Sequence, residues 1–134
     1  MIALALAVSG CSGSDSTPTA PSANVPFSIV DLRVGTGAEA ANGRNVTVSY
    51  SGWIYDRFGT DNKGSRFDAG QFPINPLPGN VIPGFSQGIV GMKVGGLRRV
   101  TIPPNLGYGN NPPQGSGIRA NETLIFEIEL LSVQ

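Results

Sequence analysis

The side chains that most enzymes use for covalent or acid–base catalysis are scarce in this sequence. Its 134 residues include no histidine and a single cysteine. Without an imidazole there is no Ser-His-Asp triad, and one cysteine excludes an internal disulfide, a CxxC redox pair and a cysteine-based structural zinc site. We therefore expect a function that requires neither a metal nor a cofactor.

The charge balance limits the class of partner. Nine basic and nine acidic residues cancel, and charged residues make up 13% of the chain, against about 25% in ordinary soluble domains. Nucleic acids and acidic membrane surfaces select proteins with a clear basic excess. The composition therefore predicts no nucleic-acid partner and no direct electrostatic binding to a membrane.

The first eleven residues have the features of an export signal. Residues 1–10 are apolar and end at Cys11, but about 15 Å of helix cannot span a hydrocarbon core. Val8-Ser9-Gly10-Cys11 resembles a bacterial lipobox, whose cysteine takes a lipid and becomes the mature N-terminus. We therefore predict a signal and lipobox segment over 1–11, lipidation of Cys11 and a place in the bacterial cell envelope, as a periplasm-facing lipoprotein or a secreted protein. The alternative is an incidental free or buried cysteine, and a cytoplasmic protein if the segment is not a signal.

A flexible tether is predicted to follow this segment. Residues 12–25 are rich in Ser, Thr, Pro and Ala and hold one charge, Asp15. Such a stretch cannot bury enough apolar surface to offset the entropy of ordering it. The tether would join the anchor to a folded domain over 26–134, so that the membrane is reached only through the lipid.

The rest of the chain predicts an α+β domain built on antiparallel strands. Apolar residues alternate with polar ones over 46–51 and 124–130, the period of a half-buried strand. Shorter strands are predicted over 27–33, 66–74 and 97–102, with Arg98-Arg99 as a solvated strand edge. The one helix is predicted over 83–92, with Pro83 in its first turn. Its glycines weaken it, so packing must hold it.

Six short motifs follow one another along this domain. They are Val46-Thr47-Val48-Ser49-Tyr50-Ser51-Gly52-Trp53, then Phe67-Asp68, Val81-Ile82-Pro83-Gly84-Phe85, Gly91-Met92-Lys93-Val94-Gly95-Gly96, Ile102-Pro103-Pro104-Asn105-Leu106-Gly107-Tyr108-Gly109 and Leu124-Ile125-Phe126-Glu127-Ile128-Glu129-Leu130. Together they resemble the FKBP-type peptidyl-prolyl cis/trans isomerases, over residues 27–133. The resemblance implies a sheet of five or six antiparallel strands curled around one short helix.

The resemblance also implies an apolar active site between helix and sheet. Tyr108, Asp68 and Tyr50 would be its catalytic residues, with the Tyr108 hydroxyl and the Ile82 N–H donating to substrate carbonyls and Tyr50 holding Asp68. The substrate-binding residues would be Phe67, Phe72, Val81, Ile82, Phe85, Ile118 and Phe126. Proline-containing polypeptides would be the substrates and macrolide inhibitors possible ligands. Phe85 stands where many members have tryptophan, which we expect to weaken macrolide binding more than peptide turnover.

Other interpretations of the same residues remain open at this stage. From the pattern alone, the apolar members of this set would be core residues, and Asp68 and Tyr108 would be turn residues. A non-catalytic peptide-binding or chaperone module of the same fold is the main alternative to an enzyme. An adhesion-type β-domain on a lipid tether is a weaker one, because the Val81-Ile82-Pro83-Gly84 helix entry has no place in it.

Overall fold

The structure, a computed structural model, describes residues 25–134. The predicted signal and lipobox segment with Cys11, and residues 12–24 of the predicted tether, lie outside the described residues. The strands are β1 (Ser28–Arg33), β2 (Val46–Tyr55), β3 (Lys63–Ile74), β4 (Leu97–Ile102) and β5 (Leu124–Val133), with one α-helix, α1 (Pro83–Ile89), and two 3-10 turns, Thr60–Asn62 and Pro104–Leu106.

The five strands form one antiparallel sheet in the order β1-β4-β5-β2-β3. In this register Tyr50 of β2 lies opposite Ile128 of β5, and Val100 of β4 lies opposite Phe126. The predicted fold class, a curled antiparallel sheet against one short helix, is confirmed. None of the helices among residues 25–134 combines the length and apolar character needed to cross a membrane.

The β2–β3 hairpin is longer than the alternation pattern predicted. β2 runs to Tyr55 instead of ending near residue 51, and β3 begins at Lys63 instead of residue 66. A compact turn closes it: Asp56 accepts the N–H of Phe58 on its side chain at 2.9 Å and the N–H of Gly59 on its carbonyl at 2.9 Å. Because backbone bonds and this turn hold the extension, its side chains need not follow an apolar alternation.

The helix lies against the sheet through its glycines. An added Cβ would lie 2.5 Å from Ile102 at Gly84 and 2.7 Å from Val100 at Gly88. Both partners on β4 are fully buried. The residues that weaken α1 as an isolated helix therefore allow its close approach to the sheet. The helix ends at Ile89, three residues earlier than predicted, before Gly91 turns the chain with a φ of +90°.

The prediction of a solvated edge at Arg98-Arg99 is wrong. β4 lies between β1 and β5, and the Arg98 side chain is only 12% exposed. Its guanidinium pairs with Asp31 at 2.7 Å and donates to the carbonyls of Gly88 and Val90 at 3.0 and 3.1 Å. Arg98 therefore satisfies carbonyl groups at the C-terminal end of α1 and ties the helix to the sheet.

Candidate active site

A pocket of about 180 Å³ opens where the concave side of the sheet meets the start of α1. Its walls come from three strands, two loops and the helix, and most of its lining is aromatic. The lining residues are Tyr50, Phe67, Asp68, Phe72, Asn80, Val81, Ile82, Phe85, Tyr108 and Phe126. Residues from five separate stretches of the chain thus share one concave surface.

A β-bulge brings two consecutive residues of β3 to this surface. Gly52 pairs with Asp68, but the next residue of β2, Trp53, pairs with Arg66, so Phe67 is an extra residue in the ladder. In a regular strand, neighbouring side chains point to opposite faces, and a bulge changes that alternation. Phe67 and Asp68 therefore both line the pocket.

Phe85 forms the centre of the aromatic lining. It is 3% exposed, and its ring centroid lies 5.1 Å from that of Phe126 and 5.7 Å from those of Tyr50 and Phe72. The Tyr50 and Phe126 contacts are nearly perpendicular, an arrangement that aromatic pairs favour. Phe67 packs on Phe126 at 5.6 Å in the same way. The rings support one another, which keeps the shape of the pocket fixed.

Asp68 is held on both carboxylate oxygens. The Tyr50 hydroxyl donates to Oδ2 at 2.6 Å, and the N–H of Ala69 donates to Oδ1 at 2.9 Å. Burial, together with the hydrogen bond and negative charge of Asp68, raises the pKa of Tyr50 to about 12. Tyr50 therefore remains a protonated donor at neutral pH and keeps the carboxylate in one orientation.

Several further hydrogen-bond donors at the pocket, including the side-chain amide of Asn80, have no acceptor within the described chain. Two of them are the Tyr108 hydroxyl, which forms no hydrogen bond to any residue of 25–134, and the backbone N–H of Ile82. The Ile82 carbonyl, in contrast, accepts the N–H groups of Phe85 and Ser86 at the start of α1. Burial, and then the charge of Asp68, raises the pKa of Tyr108, so its hydroxyl also stays protonated. Both donors can serve a bound carbonyl oxygen.

Comparison with known proteins identifies the family. Residues 37–131 match FKBP_C, the FKBP-type peptidyl-prolyl cis-trans isomerases. The chain belongs to this family. An FK506-binding protein of Neisseria meningitidis serogroup B is 42% identical to this FKBP domain over 110 residues, which cover 78% of the chain and 94% of the relative. A probable FK506-binding protein of Corynebacterium glutamicum is 44% identical over 106 residues, covering 78% and 84%.

Solved structures show the same FKBP fold. FkpA from Escherichia coli aligns with a TM-score of 0.66 and 31% identity, covering 81% of this chain and 48% of that structure. The present chain thus spans about half the length of FkpA. AtFKBP13 aligns with a TM-score of 0.64 and 29% identity, covering 81% and 93%. The predicted family and isomerase activity are therefore confirmed.

The FKBP pocket assembles nine of the ten site residues named from the sequence. The exception is Ile118, which is 8% exposed and packs in the hydrophobic core instead of lining the pocket. A turn directs it there, because the Ser116 hydroxyl accepts the Ile118 N–H at 3.1 Å and donates to Pro113 at 2.7 Å. Asn80 lines the pocket but was missed, and its one signal in the sequence is its place directly before Val81.

No metal centre is formed by the part of the FKBP domain that the structure describes: within residues 25–134 no three His, Cys, Asp or Glu side chains are grouped to hold an ion. The polar groups of the pocket are one carboxylate, two phenols, one amide and backbone N–H groups. This set can orient a peptide by hydrogen bonds, and the surrounding rings supply the apolar contact.

Proposed function

We propose that this isomerase acts on Xaa–Pro bonds of exported polypeptides at the bacterial envelope, with Tyr108 and the Ile82 N–H as the groups that bind substrate carbonyls. The observation that carries the role of these residues is that both donors lack an acceptor in the described chain and lie in a pocket lined mostly by aromatic rings. A peptide is the natural complement, because each of its residues offers a carbonyl oxygen.

The chemistry requires no bond to break. Rotation about an Xaa–Pro bond is opposed by amide resonance, a barrier of about 18–20 kcal/mol, and takes tens to hundreds of seconds unaided. The planar amide separates more charge than the twisted one, so removal from water penalises the planar form more. Aromatic walls therefore lower the barrier by binding the twisted state better than the planar state. This route needs no histidine.

Asp68 acts in this proposal as a fixed charge and not as a proton carrier. Its two oxygens already accept hydrogen bonds from Tyr50 and Ala69. A carboxylate held in this way cannot turn to follow a moving proton, but it presents a constant negative field beside the rotating amide. Tyr50 is then a positioning residue, which acts through Asp68.

The same pocket is proposed to take FK506-like macrolides. Two bacterial relatives support this, because they are named FK506-binding protein and probable FK506-binding protein. Phe85 keeps the buried aromatic floor, being 3% exposed. We expect a macrolide of this type to compete with peptide, and failure to inhibit at any soluble concentration would contradict shared use of the pocket.

The test of the function is cis-to-trans relaxation of a short Xaa-Pro peptide with and without the full chain. Acceleration that is proportional to enzyme at catalytic concentrations is the expected result. Binding of the peptide by a folded protein without acceleration would favour the non-catalytic peptide-binding module. Loss of acceleration when Tyr108 is replaced with phenylalanine would link the activity to this pocket.

The envelope location rests on the N-terminal sequence. Val8-Ser9-Gly10-Cys11 supports lipidation, and the polar stretch after it supports a tether. Mass spectrometry of the mature protein from a bacterial host should show an acylated Cys11 at its N-terminus. The matched control is Cys11→Ser, which should stay unprocessed. An unmodified thiol on the native protein would remove the anchor. If residues 1–10 were also retained, a cytoplasmic isomerase would be favoured over a secreted one.

A further inference from the structure

A second concave surface begins where the aromatic pocket ends. This groove of about 570 Å³ follows the outer side of α1 and shares Val81 with the pocket. One wall is formed by Pro83, Gln87 and Val90 of the helix and its end, and the opposite wall includes Asn42. The groove therefore adjoins the proline site at Val81 and has about three times its volume.

The walls of the groove are fixed by backbone hydrogen bonds. Gly43 donates to the carbonyl of Leu77, and Leu77 donates to that of Arg44, each at 2.9 Å. A few residues earlier, Ala40 donates to Met92 at 2.8 Å and accepts from Gly91 at 2.9 Å. The segment over 40–44 is thus pinned to both the end of the helix and the loop before it. A groove built in this way requires little ordering when a ligand binds.

The chemistry of the groove fits an uncharged peptide. No Asp, Glu, Lys or Arg is among its lining residues, all of which lie in the described chain. Asn42 and Gln87 are exposed and carry amides that can both donate to and accept from a peptide backbone. The Ser86 hydroxyl donates to the carbonyl of Pro83 at 3.0 Å, so its proton is already used within the helix. A charged side chain bound here would find no counter-ion among the lining residues.

We propose that this groove is an extended substrate site, which binds the uncharged residues on one side of the isomerised proline. The inference rests on the isomerase site proposed above. A polypeptide held in the pocket must extend beyond it, and Val81 lines both surfaces, so a chain that leaves the pocket on the Val81 side reaches the groove. The groove then makes the enzyme prefer prolines within uncharged, extended segments.

Peptides of different length test this proposal. The short substrate is blocked Ala-Leu-Pro-Ala, and two longer ones carry Ser-Gln-Ala-Ser before or after it. Exchange rates from two-dimensional NMR give kcat/KM for the full chain. Each hydrogen bond to the added residues contributes a factor of roughly two to twelve, so one of the two long peptides should gain about fivefold in kcat/KM. Replacing its added Gln and second Ser with Glu should remove the gain.

Substitutions in the groove supply the control. Gln87→Trp fills the groove from the helix side, and Gln71→Trp places the same ring at an exposed position of β3 outside both cavities. The ratio of long-peptide to short-peptide kcat/KM should fall towards one in Gln87→Trp and persist in Gln71→Trp. Asn42→Trp, on the opposite wall, should act like Gln87→Trp and covers the case in which the helix variant fails to fold.

The outcomes separate this inference from the isomerase proposal. Equal kcat/KM for the short and both long peptides would overturn the extended site and leave the isomerase intact. A gain that survives both groove substitutions, or that is equal on the two sides of proline, would overturn it as well. Absence of catalysis on the short peptide by a folded protein would overturn the isomerase proposal itself.

Discussion

Removal of a single oxygen atom tests the central assignment of this active site. Tyr108→Phe keeps the ring in the pocket lining and deletes the hydroxyl that is proposed to donate to a substrate carbonyl. A net hydrogen bond contributes about 0.5–1.5 kcal/mol, so kcat/KM should fall by roughly two- to twelvefold. Since the hydroxyl has no acceptor within residues 25–134, the free energy of unfolding should change by less than about 0.5 kcal/mol.

The other two tyrosines of the chain are matched controls. Tyr55→Phe makes the same change at the outer end of β2, away from the pocket, and should leave both activity and stability unaltered. Tyr50→Phe deletes the 2.6 Å hydrogen bond to Asp68. Because an existing protein hydrogen bond is lost, this variant should lose about 1 kcal/mol of stability as well as activity.

The assay combines two measurements on the full chain. Two-dimensional NMR exchange on blocked Ala-Leu-Pro-Ala gives kcat/KM, and chemical unfolding gives stability. An unchanged kcat/KM in Tyr108→Phe would refute the proposed hydrogen bond to substrate. A fall in activity matched by an equal loss of stability would refute the reasoning too, because it would show that the hydroxyl supports the fold.

Three further predictions concern stability. Gly84→Ala should cost about 1–3 kcal/mol, because its Cβ would lie 2.5 Å from the buried Ile102, and thermal unfolding measures this. Burial and Asp68 raise the pKa of Tyr50 from 10.0 to about 12. The contribution of Tyr50 to the free energy of unfolding should therefore be complete below pH 10 and lost between pH 10 and 12, and unfolding followed as a function of alkaline pH measures this. Burial opposes the charged form of Glu127, but its lysine and arginine partners outweigh this and lower its pKa. Its contribution should therefore be lost as acid protonates it, and Glu127→Gln should flatten the stability profile at low pH.

Each of these three predictions would be contradicted by a specific result. Gly70→Ala is the control for Gly84→Ala, since a Cβ added at Gly70 would lie 4.0 Å from the nearest atom. An equal loss of stability in the two variants would contradict the explanation by close approach of helix and sheet. If Tyr50→Phe retained the full alkaline loss of stability, another group would be responsible. If Glu127→Gln left the loss of stability at low pH unchanged, the ion pairs of Glu127 with Lys63 and Arg99 would not be the cause of that loss.

Local patterns were enough to predict most strands and the family. Apolar alternation marks a strand whenever one face is buried and the other is in contact with solvent, and β5 follows this rule from Phe126 to Leu130, where buried and partly exposed residues alternate. β4 begins and ends where the pattern placed it, at Leu97 and Ile102. Pro83 marks the start of α1, because a first-turn proline loses no helical hydrogen bond. The family resemblance that the six motifs support then led to nine of the residues that line the pocket.

The remaining features depend on contacts between distant residues, which no local pattern records. Alternation cannot show that Phe67 is an extra residue, because the bulge exists only in the pairing of β3 with β2. The partners of Arg98 lie on the neighbouring strand and at the end of the helix, so its burial could not be read from its own surroundings. Asn80 and the groove along α1 likewise arise from loops that meet only after folding. Local residue patterns were thus sufficient for most strands, the start of the helix and the family. Which side chains share a surface depends on register and packing across the whole sheet, and these arise only when the chain folds.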